Sequence, residues 1–310
     1  MNHTNVKGVL IPIGGNEDKG TRRDESSQLN FVQKSILARV IQECRNPEPL
    51  IVVIPTASRI PVEVGEKYQA AFGQFSAVHV HVLDIRKKEQ TKNPENLRWI
   101  ERADCVMFSG GNQSKITRVM RETSMHQLLM QRYHEDDFVL AGTSAGAMSM
   151  SRAMIAGGKS TEALFKGAVK TGQGMGYVPG LIIDSHFIQR GRFGRVMEAV
   201  ARFPKLLGVG LAEDTGLVIK GGNECEVIGS GMVVVVDPSE LTHNNEEILH
   251  IGTPMSLSNL ILHVLSVGDR FRIDTRELQI LPLNLDARTL LERPHQVSLR
   301  RSRQSPHGES

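Results

Sequence analysis

The feature that most constrains the fold is a short apolar run that leads directly into a glycine-flanked serine. Residues 138–141 are apolar, Gly142-Thr143-Ser144-Ala145-Gly146 follows, and residues 145–154 are compatible with a helix. This order predicts a strand, a sharp turn and a helix, with Ser144 at the turn. Gly142 and Gly146 leave room where larger side chains would clash, so Ser144 can adopt a strained backbone conformation and expose its hydroxyl.

A serine in such a turn is a candidate nucleophile. Its hydroxyl becomes reactive only when a base lies beside it and hydrogen-bond donors await the oxyanion. The helix that starts after Ser144 favours negative charge at this point through its free N–H groups and its dipole. The same pattern also fits a plain strand-to-helix turn, so the remaining sequence has to supply the base and the donors.

The first half of the chain alternates short apolar runs with segments of helical spacing. The apolar runs predict strands at 9–13, 50–54, 78–85 and 104–108, and the helical segments lie at 31–44, 61–75, 93–102 and 115–129. This alternation predicts an α/β fold with a mostly parallel central sheet flanked by helices on both faces.

The second half contains closely spaced short strands. A strand is predicted at 181–183 and a helix at 192–203, followed by strands at 207–211, 216–219, 225–228 and 232–236, which we interpret as an antiparallel C-terminal extension of the sheet. A helix is predicted at 258–267 and a last strand at 270–275. Because no linker rich in proline or serine interrupts the chain, we expect one domain over 1–293. The polar, basic residues 294–310 are expected to be a disordered tail.

Composition narrows the functional class. The 310 residues are 40% hydrophobic and 23% charged, which is ordinary for a globular protein, and a net charge of +3 does not indicate a nucleic-acid partner. Cys44, Cys105 and Cys225 are too far apart for a metal motif or a disulfide framework. The N-terminus has no apolar signal core and the sequence has no run long enough to span a membrane. We therefore expect a cytoplasmic protein with no membrane contact.

Three loops are expected to converge. In parallel sheets ligands bind beyond the carboxyl ends of the strands, and residues 14–18, 109–113 and 142–144 all lie at such ends. The backbone N–H groups of Gly111 and Ala145 are candidates for an oxyanion hole, although the glycines at 110–111 also fit an ordinary turn.

His186 is the candidate base because it follows the predicted strand at 181–183. A base needs an orienting carboxylate. Four candidates are compatible with the sequence: Glu213, which follows another predicted strand, and also Asp214, Asp184 and Glu162.

Three arginines follow the candidate base closely, within six residues. Arginine binds carboxylates through two parallel hydrogen bonds, so Arg190, Arg192 and Arg195 favour an acidic substrate. Arg192 and Arg195 are three residues apart and would share a helix face, for which a solvated surface is the alternative interpretation.

Five blocks of this sequence resemble the cyanophycinases, which belong to the serine peptidase family that also contains aspartyl dipeptidase (peptidase E). The blocks are Gly14-Gly15-Asn16-Glu17-Asp18-Lys19, Phe108-Ser109-Gly110-Gly111-Asn112-Gln113, Gly142-Thr143-Ser144-Ala145-Gly146-Ala147, Asp184-Ser185-His186-Phe187-Ile188-Gln189-Arg190-Gly191-Arg192-Phe193-Gly194-Arg195 and Gly210-Leu211-Ala212-Glu213-Asp214-Thr215. The block around His186 is specific to the cyanophycinases.

The resemblance implies an α/β sandwich related to class I glutamine amidotransferase domains, a homodimer and no metal or organic cofactor. It implies a relay of Ser144, His186 and Glu213. It also implies substrate contacts at Gln113, Asp184, Arg190, Arg192 and Arg195, and at Ser185, which stands where the family usually has a glutamine of the substrate pocket.

The activity implied by the resemblance is exopeptidase cleavage of cyanophycin, a poly-aspartate backbone with arginine joined through each β-carboxyl, or of a related β-aspartyl polymer. The expected products are β-aspartyl dipeptides. Two alternatives stay open from the sequence. One is an aspartyl or isoaspartyl dipeptidase, and the other is a catalytically silent relative that binds acidic peptides.

Overall fold

The computed structural model describes residues 6–21, 31–281 and 295–297. Its strands are β1 Val9–Ile13, β2 Leu50–Ile54, β3 His79–Val82, β4 Cys105–Phe108, β5 Val139–Thr143, β6 Ala153–Gly157, β7 Lys170–Gln173, β8 Leu181–Asp184, β9 Leu207–Leu211, β10 Thr215–Lys220, β11 Glu224–Gly229, β12 Val233–Asp237, β13 His243–Asn244, β14 Leu257–Ser258, β15 Ile261–Leu265, β16 Arg270–Arg272, β17 Leu278–Ile280 and β18 His295–Val297.

The helices of the same residues are short to medium in length. They are α1 Ile36–Gln42, α2 Pro61–Phe72, α3 Pro94–Arg102, α4 Gln113–Met120, α5 Ser124–Glu135, α6 Ala145–Ser149 and α7 Phe193–Arg202. Among these described helices, none combines the length and the apolar character needed to cross a membrane.

The larger sheet has the strand order β18-β17-β16-β11-β10-β1-β5-β4-β2-β3. The five strands from β1 to β3 run parallel, and β10, β11, β16, β17 and β18 add on the other side of β1 through antiparallel pairings. Strands β4 and β5 are buried at every position, as expected when helices cover both faces of a parallel sheet. The predicted α/β class with a large sheet flanked by helices is confirmed.

A second sheet of four strands has the order β15-β12-β9-β8. Helix α7 packs on one of its faces through Val196, Ala199 and Val200, which are spaced for one side of a helix. The close approach depends on glycine, because a Cβ atom at Gly208 would lie 2.3 Å from Val196 Cγ1. The opposite face joins the core of the larger sheet through residues such as Val209. The two sheets therefore share one apolar core.

The prediction that all late strands extend the larger sheet is wrong for two of them. The segments at 216–219 and 225–228 join it as β10 and β11, whereas those at 207–211 and 232–236 form β9 and β12 of the second sheet. The physical reason is that β9 returns after α7 to pair in parallel with β8, and β12 then pairs with β9.

Three helix predictions need correction. The helix predicted at 115–129 is two helices, because Glu122 has a left-handed backbone (φ 60°) and the side chain of Thr123 caps α5. The helix predicted at 145–154 ends at Ser149, and the chain turns back into β6 to pair with β7. The helix predicted at 258–267 is instead β15, where Ile-Leu-His-Val-Leu pairs with β12. Short apolar runs of this kind do not distinguish a helix from a strand by spacing alone.

The predicted boundary between a single domain over 1–293 and a basic tail over 294–310 stays a prediction. The tail lies outside the described residues except for 295–297, which form β18 and pair with β17.

Candidate active site

The candidate site lies where strand ends from the two sheets meet. The larger sheet supplies Ser144 after β5 and the loop after β1, while the second sheet supplies His186 after β8 and Glu213 after β9. The junction is held by the backbone, because the N–H of His186 donates to the carbonyl of Gly14 at 2.8 Å. The loops predicted to converge, at 14–18, 109–113 and 142–144, meet at the edge of the larger sheet, where a Cβ atom at Gly110 would lie 3.4 Å from Ser144 Cβ. The loops after β8 and β9 of the second sheet join them there.

Ser144 occupies a strained turn. Its backbone has φ 52° and ψ −106°, a conformation that side-chain-bearing residues adopt only when the surroundings impose it, at a cost of about 1–3 kcal/mol. The flanking glycines fit tightly: a Cβ atom at Gly146 would lie 2.5 Å from the carbonyl oxygen of Phe108, and one at Gly142 would lie 2.8 Å from the backbone of Gly146. A larger residue at either position would require the surrounding backbone to shift, so the two glycines allow the tight elbow in which Ser144 lies.

Ser144, His186 and Glu213 form a continuous hydrogen-bonded chain. Ser144 Oγ lies 2.9 Å from His186 Nε2, and His186 Nδ1 lies 2.6 Å from Glu213 Oε1. Both distances are those of good hydrogen bonds. The chain has the geometry of a nucleophile, a general base and an orienting carboxylate.

The protonation states suit those roles. Burial lowers the pKa of His186 below its ordinary value of 6.5, and the positive charges of Arg190 and Arg192 act in the same direction against the opposing effect of Glu213. A neutral imidazole can accept the serine proton at neutral pH. A side-chain hydrogen bond from Asn16, together with the contact to His186, holds the pKa of Glu213 below its usual range.

Asn16 and Gln189 contact the acid and were given no role by the sequence reasoning. The side chain of Asn16 hydrogen-bonds the carboxylate of Glu213, and the side-chain oxygen of Gln189 accepts from the backbone N–H of Glu213 at 3.1 Å. Asn16 has a left-handed backbone (φ 49°), which asparagine tolerates better than most residues. An asparagine directly after two glycines at a strand end is the signal that could have marked it.

The other three candidate acids have different partners. Asp214 accepts from the backbone N–H of Asp18 and from the hydroxyl of Ser230. Glu162 is exposed and pairs with Lys159 at 2.7 Å. Asp184 pairs with arginines, as described below. The structure thus places Glu213 beside His186 and the other carboxylates in other contacts.

The candidate oxyanion donors lie around the elbow. Among the described residues, the backbone N–H groups of Gly111 and Ala145 have no hydrogen-bond partner, and Ala145 is the first residue of α6, where helical N–H groups are free. Gly111 has φ 140° and packs against the carbonyl of Ala57, and Gly110 faces the nucleophile, since a Cβ atom there would lie 3.4 Å from Ser144 Cβ. Glycine at both positions keeps the backbone close to the hydroxyl.

Asp184 forms ion pairs with two of the three predicted arginines, Arg192 and Arg195. Its side chain is fully buried, and Arg192 Nη1 lies 2.8 Å from Oδ1. Arg195 Nε lies 2.9 Å from Oδ2 without the alignment of a hydrogen bond, and its Nη2 donates to Oδ1 at 3.3 Å. Burial raises the pKa of Asp184 although both arginines oppose this, and burial lowers the pKa of Arg195. These three side chains form an internal ion cluster.

The remaining predicted substrate contacts differ in exposure. Arg190 is exposed, and its backbone carbonyl accepts from Ser160 Oγ. The side-chain amide of Gln113 donates to the carbonyl of Ile155 at 2.8 Å. Ser185 is buried, with its hydroxyl 3.2 Å from Met148 Sδ, so a contact between this side chain and a substrate would require the hydroxyl to leave that position.

Comparison with known proteins gives the family. The model of peptidase family S51 matches residues 25–227, a range that contains Ser144, His186 and Glu213. The chain belongs to peptidase family S51. As a member of this family it is a hydrolase, a serine-type peptidase, and the resemblance drawn from the five sequence blocks is confirmed.

Cyanophycinases are among the curated relatives of this S51 peptidase. It is 37% identical over 271 residues to a cyanophycinase of Trichormus variabilis, covering 87% of each chain. It is 32% identical over 272 residues to a cyanophycinase of Geminocystis herdmanii, covering 88% of this chain and 96% of the relative.

Among solved structures, a peptidase from an acI-B1 Actinobacterium has a similar fold. The TM-score is 0.61 at 18% sequence identity, and the match covers 87% of this chain and 98% of the other. This likeness supports the peptidase fold of the S51 chain.

Proposed function

We propose that this S51 peptidase hydrolyses cyanophycin, multi-L-arginyl-poly-L-aspartate, or a closely related β-aspartyl polymer, as an exopeptidase that releases β-aspartyl dipeptides. The observation that carries the proposal is the hydrogen-bonded chain of Ser144, His186 and Glu213 beside an arginine-rich wall, in a chain 37% identical to a cyanophycinase.

The reaction follows from the geometry of the relay. Ser144 Oγ attacks the scissile carbonyl carbon while His186 Nε2 takes the hydroxyl proton, and Glu213 stabilises the resulting imidazolium. The N–H groups of Gly111 and Ala145 hold the oxyanion of the tetrahedral intermediate. His186 then gives its proton to the leaving amine, and an acyl-enzyme on Ser144 remains.

A water molecule completes the cycle. His186 takes a proton from the water as it attacks the acyl-enzyme carbonyl, and the same proton returns to Ser144 Oγ when the ester breaks. The products are one free amine and one free carboxylate per cleaved bond. Each step uses side chains and backbone groups of the chain itself.

Substrate recognition is assigned to the positive wall beside His186. Each unit of cyanophycin carries the free α-carboxylate of its arginine. The exposure of Arg190 and the partial exposure of Arg192 support their role in binding it. Asp184 and Arg195 support this wall from the interior. Gln113 and Ser185 are the remaining residues assigned to the substrate pocket.

The fold is related to class I glutamine amidotransferase domains, and β10, β11, β16, β17 and β18 form the antiparallel extension of the larger sheet. The protein is a cytoplasmic homodimer, and light scattering of the purified protein measures the oligomeric state.

The experiment is incubation of the purified protein with cyanophycin and identification of the soluble products by mass. We expect β-aspartyl-arginine dipeptides from the parent protein and none from the Ser144→Ala variant. Cleavage of α- or β-aspartyl dipeptides without release from the polymer would favour the dipeptidase alternative. Binding of acidic peptides without any hydrolysis would favour the silent relative.

A further inference from the structure

A buried carboxylate lies directly behind the nucleophile elbow. Glu17 is 4% exposed and lies in the loop after β1. It accepts hydrogen bonds from three side chains: Thr143 Oγ1 at 2.5 Å, Lys19 Nζ at 2.9 Å and the hydroxyl of Tyr68. Lys19 also lies over the ring of Tyr68, 5.1 Å from its centroid. The relay described above does not use this group.

The carboxylate is held in its charged form. Burial alone would raise the pKa of Glu17, but the charge of Lys19 and the three hydrogen bonds outweigh it, so the pKa lies below the ordinary value. A buried charge is expensive unless every lone pair is satisfied. Glu17 therefore ties three elements together: its own loop, α2 through Tyr68, and the last residue of β5 through Thr143.

Thr143 connects this cluster to the nucleophile. It directly precedes Ser144, and its backbone pairs with Ile13 at the end of β1. The backbone N–H of Ser144 donates to the carbonyl of Ile13 at 2.8 Å. Since the backbone of Ser144 is strained, it keeps its conformation only if the surrounding contacts fix it. The bond from Thr143 to Glu17 is such a contact.

The loop that carries Glu17 also touches the other two members of the relay. Gly14 accepts from the N–H of His186 at 2.8 Å, Gly15 accepts from the N–H of Asp214 at 2.8 Å, and Asn16 binds the carboxylate of Glu213. A Cβ atom at Gly15 would lie 2.4 Å from the ring of His186, so the loop and the imidazole are in close contact.

We propose that Glu17 is a positioning residue for the nucleophile, which it holds at the attack geometry through the hydroxyl of Thr143. The inference rests on the proposed role of Ser144. When a supporting residue is lost, the reacting atom can move, and a displacement of about 1 Å can reduce the rate about 100-fold.

The test measures the labelling rate of Ser144 by a fluorophosphonate probe, the kcat and KM for cyanophycin, and the melting temperature. Thr143→Val removes the hydroxyl and keeps the shape. We expect a labelling rate and a kcat about 10- to 100-fold lower, with KM within about threefold of the parent. Thr143→Ser restores the hydroxyl and is expected to restore both rates to within about threefold.

Two control variants separate positioning from stability. Thr91 is also buried and its hydroxyl donates to the carbonyl of Lys88 at 2.6 Å, a bond that involves neither Glu17 nor Thr143, so Thr91→Val is expected to lower the melting temperature without slowing the labelling. Tyr68→Phe removes a donor to the same carboxylate without touching Thr143 and is expected to slow the labelling less than threefold.

Glu17→Gln provides a second route if Thr143→Val fails to fold. It keeps the size of the side chain, removes the charge, and is expected to slow the labelling about tenfold or more. Equal labelling rates in Thr143→Val, Thr143→Ser and the parent, or equal losses in Thr143→Val and Tyr68→Phe, would overturn the proposal. An unlabelled Ser144 in the parent would overturn it too. A labelled Ser144 in a protein inert towards cyanophycin would instead contradict the proposed substrate alone.

Discussion

Two groups of polar and charged side chains meet at the end of β8, and they differ in how far they are open to solvent. The relay, Ser144, His186 and Glu213, is partly open: the Glu213 side chain is 25% exposed and Ser144 is half-buried. The cluster of Asp184, Arg192 and Arg195 is closed, since Asp184 is fully buried and the Arg195 side chain is 6% exposed. In the sequence only His186 lies in the block that contains Asp184, Arg192 and Arg195, while Ser144 and Glu213 come from two other blocks.

The difference divides the three arginines into two kinds. Arg195 is a counter-ion of Asp184, and a buried pair of this kind contributes mainly by avoiding an unpaired charge. Arg190 has no carboxylate partner among the described side chains and stands exposed beside His186. In the proposed function, carboxylate binding is therefore assigned first to Arg190, because Arg192 already pairs with Asp184.

The largest expected effect tests the open group. Ser144→Ala should reduce kcat for cyanophycin by about 10⁴- to 10⁶-fold, because the nucleophile is lost. The melting temperature should stay close to that of the parent, since the hydroxyl contacts little besides His186. Kinetic measurements and thermal denaturation of the parent and the variant check both expectations. Activity of the variant within tenfold of the parent would show that Ser144 is not the nucleophile.

The next effect distinguishes the carboxylates. Glu213→Gln keeps the size of the side chain but removes the charge that stabilises the imidazolium, and the loss in kcat should approach about 10⁴-fold. Glu162→Gln is the matched control, because Glu162 pairs with Lys159 at the surface, and it should change kcat less than twofold. A larger loss of kcat in Glu162→Gln than in Glu213→Gln would show that Glu213 is not the acid of the relay.

A third pair of variants sharpens the contrast between open and closed arginines. Arg190→Met should lower kcat/KM about 10- to 150-fold, the equivalent of one charge-assisted hydrogen bond of about 1.5–3 kcal/mol, and leave the melting temperature unchanged. Arg195→Met should instead destabilise the fold by about 3 kcal/mol or more, because Asp184 loses a buried partner. If both variants behave alike in kinetics and in thermal denaturation, the distinction between a substrate-binding Arg190 and a structural Arg195 is wrong.

The smallest expected effect is a shift with pH. His186 acts as a base only when neutral, and because its pKa lies below 6.5, kcat/KM should fall only below about pH 6.5 as the imidazole is protonated. Loss of the positive charge in Arg190→Met removes one cause of the low pKa, so the midpoint of the acid limb should move to higher pH. A pH profile of the fluorophosphonate labelling rate measures this midpoint with a probe that has no substrate carboxylate. An unchanged midpoint would contradict the influence of Arg190 on the pKa of His186.

The parallel half of the fold could be predicted from the sequence because each strand there is a short apolar run bounded by turn signals. Val9–Ile13, Leu50–Ile54 and the run at 104–108 appear within one residue of their predicted bounds. The helix predicted at 258–267 failed for a different reason. Its segment is stabilised by pairing with β12, and that non-local contact leaves no periodic trace in the sequence.

The candidate site could be predicted only in part for a similar reason. Ser144 and His186 stand at strand ends that the sequence marks clearly. The burial of Asp184 could not be anticipated, because an aspartate at a strand end usually indicates solvent. Asn16 was missed because its contact with Glu213 joins loops almost two hundred residues apart.

The most direct test of the central claim is to locate the fluorophosphonate label by peptide mass mapping of the labelled protein. The relay predicts one modified peptide that contains Ser144, full loss of the modification in His186→Ala, and loss of cyanophycin hydrolysis in proportion to labelling. Continued hydrolysis by a fully labelled protein, or a label on another serine such as Ser185 with Ser144 unmodified, would contradict it.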